Sequence, residues 1–475
     1  MDRSRAQPLR HPPHQPRAPH PRERHDPAGA APRGRRGRRR PGSAVSGLVR
    51  LWPFAAVLVT AACGDNALTG SDPASQAQRP GAAASARPPA AAAGGVRVGL
   101  EVLDAEKGVA LKGKKVGLIA HAASVTSEGH QAVDVLKRHG VEVVRIFSPE
   151  HGLQGRAAAG EKVQGGKDPR SGLPLVSLYG EKTKPSAEDL KDLDVLVYDL
   201  QDGGVRFYTY VSTLLHCLDA AGDAGIEFVV LDRPNPLGGE RVEGPVSDPR
   251  DAVPASLLNL APGPLVHGLT TGEMARYANA HREKEVRLTI VPMKGWKRNM
   301  VWADTGRTWV APSPNLRTPE AAIAYPGIAL VEATNASEGR GTEAPFLLLG
   351  APWADSAALA ALMVPGFALE AAKFTPHAAE AAPDPKYKDQ ECSGVRVKVT
   401  DARAAKPYTL GVALLASLRK GKEFAWRSEG ALDRLVGTRK LREALEKGET
   451  VDAIVDTDAP AIEAFRKERR EALLY

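Results

Sequence analysis

Short apolar runs alternate with amphipathic segments from about Val96 onward, and this alternation limits the possible folds more than any other feature. Helical spacing of apolar residues marks residues 131–139 and the segment through Leu214 and Leu218. Strands that alternate with such helices form βαβ units and a parallel sheet. The sequence therefore predicts an α/β fold. The runs predicted as buried strands are residues 114–120, 141–147, 194–199 and 227–232.

The alternation becomes less regular after about residue 290. The chain is loop-rich to about residue 350, and helical and strand patterns then mix up to Tyr475. We interpret residues 96–290 as the parallel-sheet domain and residues 291–475 as a second α/β domain packed on it.

Charged and aromatic residues crowd the segments that follow three of the predicted strands. Ligands of an open parallel sheet bind beyond the carboxyl ends of its strands, so we expect a functional rim there. A pair such as Asp232 and Arg233 can equally brace a loop. The candidate residues at the three strand ends are Glu150, His151, Asp199, Asp202, Arg206, Tyr208, Tyr210, Asp232, Arg233 and Asn235.

Two later loops are rich in Pro and Gly and contain further polar residues. The segment 311–316 includes Asn315, and the segment 335–346 includes Glu338 and Arg340. Rigid loops of this kind form either the wall of a cleft or plain connections.

Several familiar sites are absent from the sequence. There is no G-x-S-x-G or H-E-x-x-H motif, and no G-x-G-x-x-G follows the first predicted strand. The histidines of the body lack the spacing of metal ligands. We therefore predict no cofactor and no bound metal.

The positive charge of the chain is concentrated at its start. Residues 1–50 contain 13 arginines, no lysine and three acidic residues, whereas the whole chain has a net charge of +8. Such a segment binds nucleic acid or anionic lipid in some proteins, but its Pro-, His- and Arg-rich composition favours a disordered basic extension. A start codon assigned too early, with translation from near Val45 or Val49, fits equally. We predict no nucleic-acid partner.

Residues 51–63 resemble the core of a bacterial signal peptide. The apolar run from Leu51 to Ala62 follows Arg50 and is too short to span a bilayer. Cys63 follows two alanines, as in a lipobox, so we predict lipidation of Cys63 and a flexible Ala- and Pro-rich linker over residues 64–95. The predicted location is an exported, membrane-anchored lipoprotein, periplasmic or on the outer face, or a secreted protein if the lipobox is unused.

Several strings of residues resemble the exo-β-N-acetylmuramidase family of the NamZ type. The resemblance extends from about Gly99 to Tyr475, although His121 stands where the family commonly has Asn. The strings are 147–152 (FSPEHG), 177–180 (SLYG), 199–202 (DLQD), 206–210 (RFYTY), 231–236 (LDRPNP), 312–315 (PSPN) and 337–342 (SEGRGT).

The resemblance implies a Rossmann-like parallel-sheet domain with an auxiliary α/β domain and an active site in the cleft between them. It also implies that the chain is a glycoside hydrolase that releases N-acetylmuramic acid from the non-reducing ends of peptidoglycan fragments. Two other classes stay open: a non-catalytic cell-wall sugar-binding lipoprotein, and a metal-dependent hydrolase.

Glycoside hydrolysis requires a carboxylic acid at the leaving oxygen and a second group at the anomeric carbon. We predict Glu150 as the acid, with His151 orienting it or tuning its pKa. The candidates for the second role are Asp199, Asp202 and Asp232, and the acetamido group of the substrate is an alternative nucleophile.

The lactyl carboxylate of muramic acid calls for a cation, because that charge distinguishes it from N-acetylglucosamine. The candidates for this contact are Arg206, Arg233 and Arg340, and Tyr208 and Tyr210 are candidates for stacking on the sugar. The remaining residues predicted to bind substrate are Asn235, Asn315 and Glu338. Cys217 and Cys392 form either a disulfide or two buried thiols.

Overall fold

A computed structural model describes residues 95–247 and 253–475 of the chain. The predicted basic extension, signal-peptide core and Cys63 lie outside the described residues, as does the predicted linker apart from Gly95. Within the described ranges, no helix is both long enough and apolar enough to cross a membrane.

Twelve strands are defined in the described residues. They are β1 (Lys115–Ala120), β2 (Glu142–Ser148), β3 (Gly166–Lys167), β4 (Pro174–Ser177), β5 (Val195–Asp199), β6 (Glu227–Leu231), β7 (Glu243–Val246), β8 (Pro264–Val266), β9 (Leu288–Val291), β10 (Leu348–Ala351), β11 (Phe367–Phe374) and β12 (Cys392–Val399).

Twelve α-helices accompany these strands in the same ranges. They are α1 (Gly99–Ala105), α2 (Ala132–Arg138), α3 (Ala187–Leu190), α4 (Thr209–Ala224), α5 (Thr271–Ala280), α6 (Pro319–Ile328), α7 (Ser356–Ala360), α8 (Pro407–Leu418), α9 (Ala431–Val436), α10 (Lys440–Lys447), α11 (Val451–Asp456) and α12 (Ala459–Glu468).

A seven-stranded sheet with the order β3-β4-β2-β1-β5-β6-β9 organises the first part of the body. All of its pairs are parallel except β3 with β4 at one edge. Alternate residues of β5 face opposite sides: Val195 and Val197 pack with α1 and α2, whereas Leu196 and Tyr198 pack with α4 and α5. The central strands are apolar throughout because helices cover both faces. The predicted Rossmann-like α/β class is confirmed.

The elements predicted from periodicity are present with small shifts at their ends. Strands β1, β2, β5 and β6 and helices α2 and α4 correspond to the predicted segments. The sequence did not reveal the short edge strands β3 and β4, or helix α6. Helix α6 is apolar on nearly all sides and contains Pro326, so it lacks the one-sided pattern that marks an amphipathic helix.

A three-stranded antiparallel sheet, ordered β10-β12-β11, forms the centre of the second part. Helices α6 and α8 pack closely against each other, since a Cβ atom at Gly327 would lie 2.1 Å from the carbonyl oxygen of Pro407. The boundary at residue 290 stays a prediction. Cys217 and Cys392 are two separate, buried free thiols.

Candidate active site

The strand order places the candidate rim at one edge of the large sheet. Strand β1 lies between β2 and β5, so the chain leaves the middle of the sheet in one direction and later in the other. A crevice forms at such a switch point, beyond the carboxyl ends of the strands. The candidate residues that follow β2, β5 and β6 therefore share this edge with His121, which follows β1.

Glu150 follows β2 and is held from two sides. One carboxylate oxygen, Oε2, accepts a 2.7 Å hydrogen bond from the hydroxyl of Thr209, the first residue of α4. The other, Oε1, accepts a 3.0 Å hydrogen bond from the backbone N–H of Gly160. Glu150 is 8% exposed. Its carboxylate therefore has a fixed orientation at the switch point.

Tyr179 is a third neighbour of Glu150, and it was not among the predicted site residues. Burial and the adjacent Glu150 carboxylate together raise the pKa of the Tyr179 hydroxyl. Ser177 fixes the turn that presents it, because its hydroxyl accepts from the Tyr179 N–H at 3.2 Å and donates to the Tyr179 carbonyl at 3.0 Å. Unlike most side chains around Glu150, Tyr179 is partly exposed.

His151 adopts a left-handed backbone conformation, with φ of +69°. Its Nδ1 donates to the carbonyl oxygen of Ala157 at 2.7 Å, which leaves Nε2 as the unprotonated nitrogen. Burial lowers the pKa of the imidazole, and the positive charge of Arg340 lowers it further, against the opposing effect of Glu150. His151 is therefore a neutral group beside Glu150 near pH 7.

A charged cluster from the second part of the body faces His151. Arg340 donates to Glu338 at 2.8 Å and to Glu332 at 2.9 Å, and Lys386 donates to Glu338 at 3.0 Å. Burial alone would raise the pKa of Glu338, but Lys386 and Arg340 lower it to about 2. The Arg340 side chain is 18% exposed, and its guanidinium is anchored by the two glutamates.

Tyr208 and Tyr210 are packed inside the protein, edge to face with each other at 4.8 Å between ring centroids. The Tyr210 hydroxyl donates to the carbonyl oxygen of Pro312 at 2.6 Å. Tyr325 extends the aromatic cluster toward Phe346, over which Arg340 lies at 4.9 Å. These rings join the two parts of the body and do not offer an open face for a sugar.

The predicted second carboxylates Asp199 and Asp232 both have strong internal partners. Asp199 forms a buried bidentate ion pair with Arg233, at 2.6 and 3.0 Å. Asp232 accepts four hydrogen bonds, and burial nevertheless raises its pKa to about 6. The donors to Asp232 are the N–H groups of Arg233 and Gly272 and the hydroxyls of Thr270 and Tyr475.

Asp202 differs from these two because one of its oxygens lacks a partner. Oδ2 accepts from the N–H of Gly204 at 2.6 Å, whereas the buried Oδ1 has no hydrogen bond. Burial raises the pKa of Asp202 to about 7. The residue lines a cavity of about 10 Å³ together with His267, and Glu150 does not line this cavity.

Arg206 and Asn235 have structural contacts in place of the predicted contacts with a ligand. The buried guanidinium of Arg206 donates to the carbonyl oxygens of Pro245, Gly263 and Val436. Asn235 shapes its own loop, accepting from the N–H of Leu237 at 2.9 Å and donating to the Leu269 carbonyl oxygen at 2.9 Å.

Besides Asp202 Oδ1 and the Tyr208 hydroxyl, four buried polar atoms near the switch point lack a hydrogen-bond partner in the described residues. Buried polar groups are normally paired, so such a group of unpaired atoms suits a polar ligand. Asn315 illustrates this, because its Nδ2 donates to the Ala381 carbonyl oxygen while its Oδ1 stays unpaired. The four atoms are His121 Nδ1, Ser148 Oγ, Asn315 Oδ1 and Arg340 Nε.

Comparison with known proteins agrees with this geometry. The models of the N-terminal and C-terminal domains of exo-β-N-acetylmuramidase NamZ match residues 116–320 and 323–475. The peptidoglycan β-N-acetylmuramidase NamZ of Bacillus subtilis strain 168 is 39% identical over 387 residues, which cover 80% of this chain and 91% of the relative. The chain belongs to the NamZ exo-β-N-acetylmuramidase family.

Two crystal structures of DUF1343 family proteins from Bacteroides fragilis NCTC 9343 share the fold. Each is 30% identical to this chain, with TM-scores of 0.72 and 0.67. They cover 81% and 80% of the chain, which in turn covers 100% and 99% of theirs.

The division between the two NamZ domain models runs through the candidate site. Glu150, Tyr179 and Thr209 lie in the N-terminal part, whereas Arg340 and Lys386 lie in the C-terminal part. Both parts are thus needed to complete the site. Among the described residues, no group of three or more His, Cys, Asp or Glu side chains is arranged to hold a metal ion.

Proposed function

We propose that Glu150 is the general acid of this enzyme, an exo-acting glycoside hydrolase that releases N-acetylmuramic acid from the non-reducing ends of peptidoglycan fragments. The family supports the reaction, and the B. subtilis relative is named for it. The observation behind the residue assignment is the position of Glu150. Its carboxylate lies at the switch point and is oriented by Thr209 and Gly160 from separate elements.

In this mechanism the protonated Glu150 gives its proton to the glycosidic oxygen as the bond to the anomeric carbon breaks. Thr209 keeps the carboxyl group in a fixed direction, because it belongs to the buried helix α4. His151, which follows Glu150 in the chain and is neutral, adds no positive charge to the site. Together these residues define the side of the sugar at which the leaving oxygen must lie.

We assign the second role, attack at the anomeric carbon, to the acetamido oxygen of the substrate. Asp199 and Asp232 are already engaged by Arg233 and by four hydrogen-bond donors, respectively. Asp202 borders a different cavity. Asp199 and Asp232 are therefore not free to act as a nucleophile, and the unpaired Oδ1 of Asp202 is buried.

Glu150→Gln tests the acid assignment with residues 95–475 and the disaccharide of N-acetylmuramic acid β-linked to N-acetylglucosamine, whose sugar leaving group needs a proton. We expect the wild type to cleave the disaccharide and the variant to lose at least about 10²-fold in kcat/KM, a typical loss for a missing general acid. Glu161→Gln, on the same loop, is the matched control. A folded Glu150→Gln protein that keeps wild-type activity would refute the assignment.

We propose Arg340 as the reader of the lactyl carboxylate. Of the three arginines that the sequence suggested, Arg206 and Arg233 are buried in internal contacts, whereas Arg340 is partly exposed and faces His151. Arg340→Lys keeps the charge but removes the planar fork. We expect it to raise the inhibition constant of free N-acetylmuramic acid about tenfold, and to leave that of N-acetylglucosamine unchanged. Equal weakening of both sugars would contradict this role.

We also propose that the enzyme is exported and anchored through a lipidated Cys63, on the basis of the apolar run and the lipobox-like residues before it. Expression of the full chain in a bacterial host with labelled palmitate tests this. Label should enter the wild type and not Cys63→Ser. A cytoplasmic, unlabelled wild-type protein would exclude the anchor.

A further inference from the structure

A groove of about 240 Å³ lies between residues 162–165 and strand β4 at the edge of the large sheet. We call it the Tyr179 groove. Its volume is below the range of about 300–1,000 Å³ typical of sites for drug-sized ligands, which suits one sugar ring. The side chains that matter for its chemistry are Lys162, Gln164, Ser177, Tyr179, Glu181 and Lys182.

Tyr179 connects this groove to the general acid. The residue lines the groove, and its hydroxyl lies at the Glu150 carboxylate. Gly160, which donates to the same carboxylate, is only two residues before Lys162 in the groove wall. One end of the groove therefore opens next to the carboxyl group that protonates the leaving oxygen.

The position of the groove relative to Glu150 determines which part of the substrate can occupy it. A general acid contacts the oxygen between the two sugars, so the leaving sugar begins on the acid's side of that oxygen. Tyr208 and Tyr210 are buried, whereas Tyr179 is partly exposed and presents an aromatic ring along the wall. An aromatic ring next to amide and hydroxyl groups, here Gln164 and Ser177, suits a sugar with apolar faces and polar edges.

The charges of the groove favour a neutral ligand. Lys182 is paired with Asp189 at 2.7 Å, and the groove includes Glu181 as well as Lys162. Positive and negative groups are thus mixed along its length. An anionic peptide stem would gain little from such a surface, whereas a neutral N-acetylhexosamine meets hydrogen-bonding groups of both kinds.

We propose that the Tyr179 groove is the subsite for the leaving saccharide, an N-acetylglucosamine residue in the natural substrate. The proposal rests on the proposed function of Glu150. The groove runs along the sheet edge formed by β3 and β4 and is open to solvent, so a longer glycan continues outward from it. Muramic acid itself lies on the other side of Glu150, toward Arg340.

Gln164→Trp, at an exposed residue of the wall, tests the proposal by filling the groove. Two substrates are compared: the disaccharide of N-acetylmuramic acid β-linked to N-acetylglucosamine, and the β-fluoride of N-acetylmuramic acid, whose leaving group is one atom. We expect kcat/KM for the disaccharide to fall at least about tenfold, equivalent to about 1.4 kcal/mol. The value for the fluoride should stay within about twofold.

Lys167→Trp is the matched control, because Lys167 is exposed on β3 but does not line the groove. It should leave both substrates unaffected. A fall with Gln164→Trp on both substrates would overturn the proposal, as would a fall on neither. If the wild type cleaves neither substrate, the proposed function itself is wrong. The failure of the proposed function can thus be distinguished from the failure of the proposed subsite.

Discussion

Glu150 and Asp202 are carboxyl groups that follow β2 and β5, the two strands on either side of β1, but their surroundings differ. Glu150 accepts a hydrogen bond from Thr209 and lies next to Tyr179, which lines the Tyr179 groove. Asp202 is buried, accepts a hydrogen bond from the N–H of Gly204 and lines a cavity of about 10 Å³ with His267. Position after a strand is therefore not sufficient to make a carboxyl group a candidate for catalysis. The groups that its side chain contacts must be considered as well.

Asp202→Asn should leave activity within a few-fold of the wild type and change the pH dependence of stability. Burial raises the pKa of Asp202 to about 7, whereas the carboxyl group of an unfolded chain titrates near about 3.9. The folded state thus holds the proton more tightly, so this group's stabilising contribution is complete below about pH 4 and is lost as the pH rises through about 7. Asn resembles the protonated form, so the variant should gain stability relative to the wild type between pH 5 and pH 8.

Urea unfolding at the two pH values measures this difference, with the exposed Asp384→Asn as control. A loss of activity comparable to that of Glu150→Gln, in a folded Asp202→Asn protein, would instead identify Asp202 as the second catalytic group. The activity of Asp202→Asn therefore decides between attack by the acetamido group of the substrate and a role for Asp202.

The sequence indicated some site residues and hid others for a physical reason. Glu150 and His151 were predictable because they follow a clearly apolar strand directly. Tyr179, Thr209 and Lys386 reach the site through the edge of the sheet, a helix start and the second part of the body. Such tertiary contacts leave no local pattern, so only the folded structure brings these side chains together.

At the scale of elements, the loop of residues 152–165 controls access to Glu150. Gly160 donates to one carboxylate oxygen, and Thr209 on the buried helix α4 donates to the other. A glycosidic oxygen that approaches the carboxyl group competes with these two donors for its oxygen atoms. The loop is the mobile partner of the two, because it contains left-handed glycines and exposed residues, whereas α4 is packed in the core.

Gly160→Ala should therefore raise kcat/KM by about two- to fivefold, because strain of about 1 kcal/mol in the observed loop conformation increases the fraction of open molecules. Gly160 has a φ of +78° and no atom within 4 Å of an added Cβ, so the substitution adds backbone strain without a clash. The control is Gly172→Ala, which has a φ of +71°, equally open surroundings and a place in the turn between β3 and β4. A fall in kcat/KM would show that the loop must close on the substrate.

Periodicity predicted the central elements of the fold better than its borders. Strands β1, β2, β5 and β6 are buried on both faces and so form long apolar runs. The two residues of β3 are too few to show any pattern. Helix α6 was missed because a helix buried on all sides resembles any other apolar run.

At the scale of the whole molecule, the active site depends on how the two parts of the body are joined. Glu150 and Arg340 belong to different parts, so their relative position follows from the contacts between those parts. Arg206 makes one such contact: its buried guanidinium binds the carbonyl oxygens of Pro245 and Gly263, on the β7–β8 ribbon, and of Val436 at the end of α9.

Arg206→Met tests whether this arginine joins the two parts or reads the substrate. Methionine keeps much of the side-chain volume but leaves three carbonyl groups without a donor, so we expect a loss of about 3–5 kcal/mol in the free energy of unfolding. The burial that lowers the pKa of Arg206 to about 10 still leaves it charged at neutral pH. Below the unfolding transition, the inhibition constant of free N-acetylmuramic acid should stay at its wild-type value.

Denaturant unfolding and inhibition by the two free sugars, measured on Arg206→Met and Arg340→Lys together, separate the two roles. If Arg206 has a structural role, Arg206→Met should lose stability and still distinguish the two sugars. Arg340→Lys should no longer distinguish them. A stable Arg206→Met protein that no longer distinguishes the two sugars would place the lactyl contact at Arg206. The muramic acid ring would then have to enter between the β7–β8 ribbon and α9, where the guanidinium now has no exposed surface.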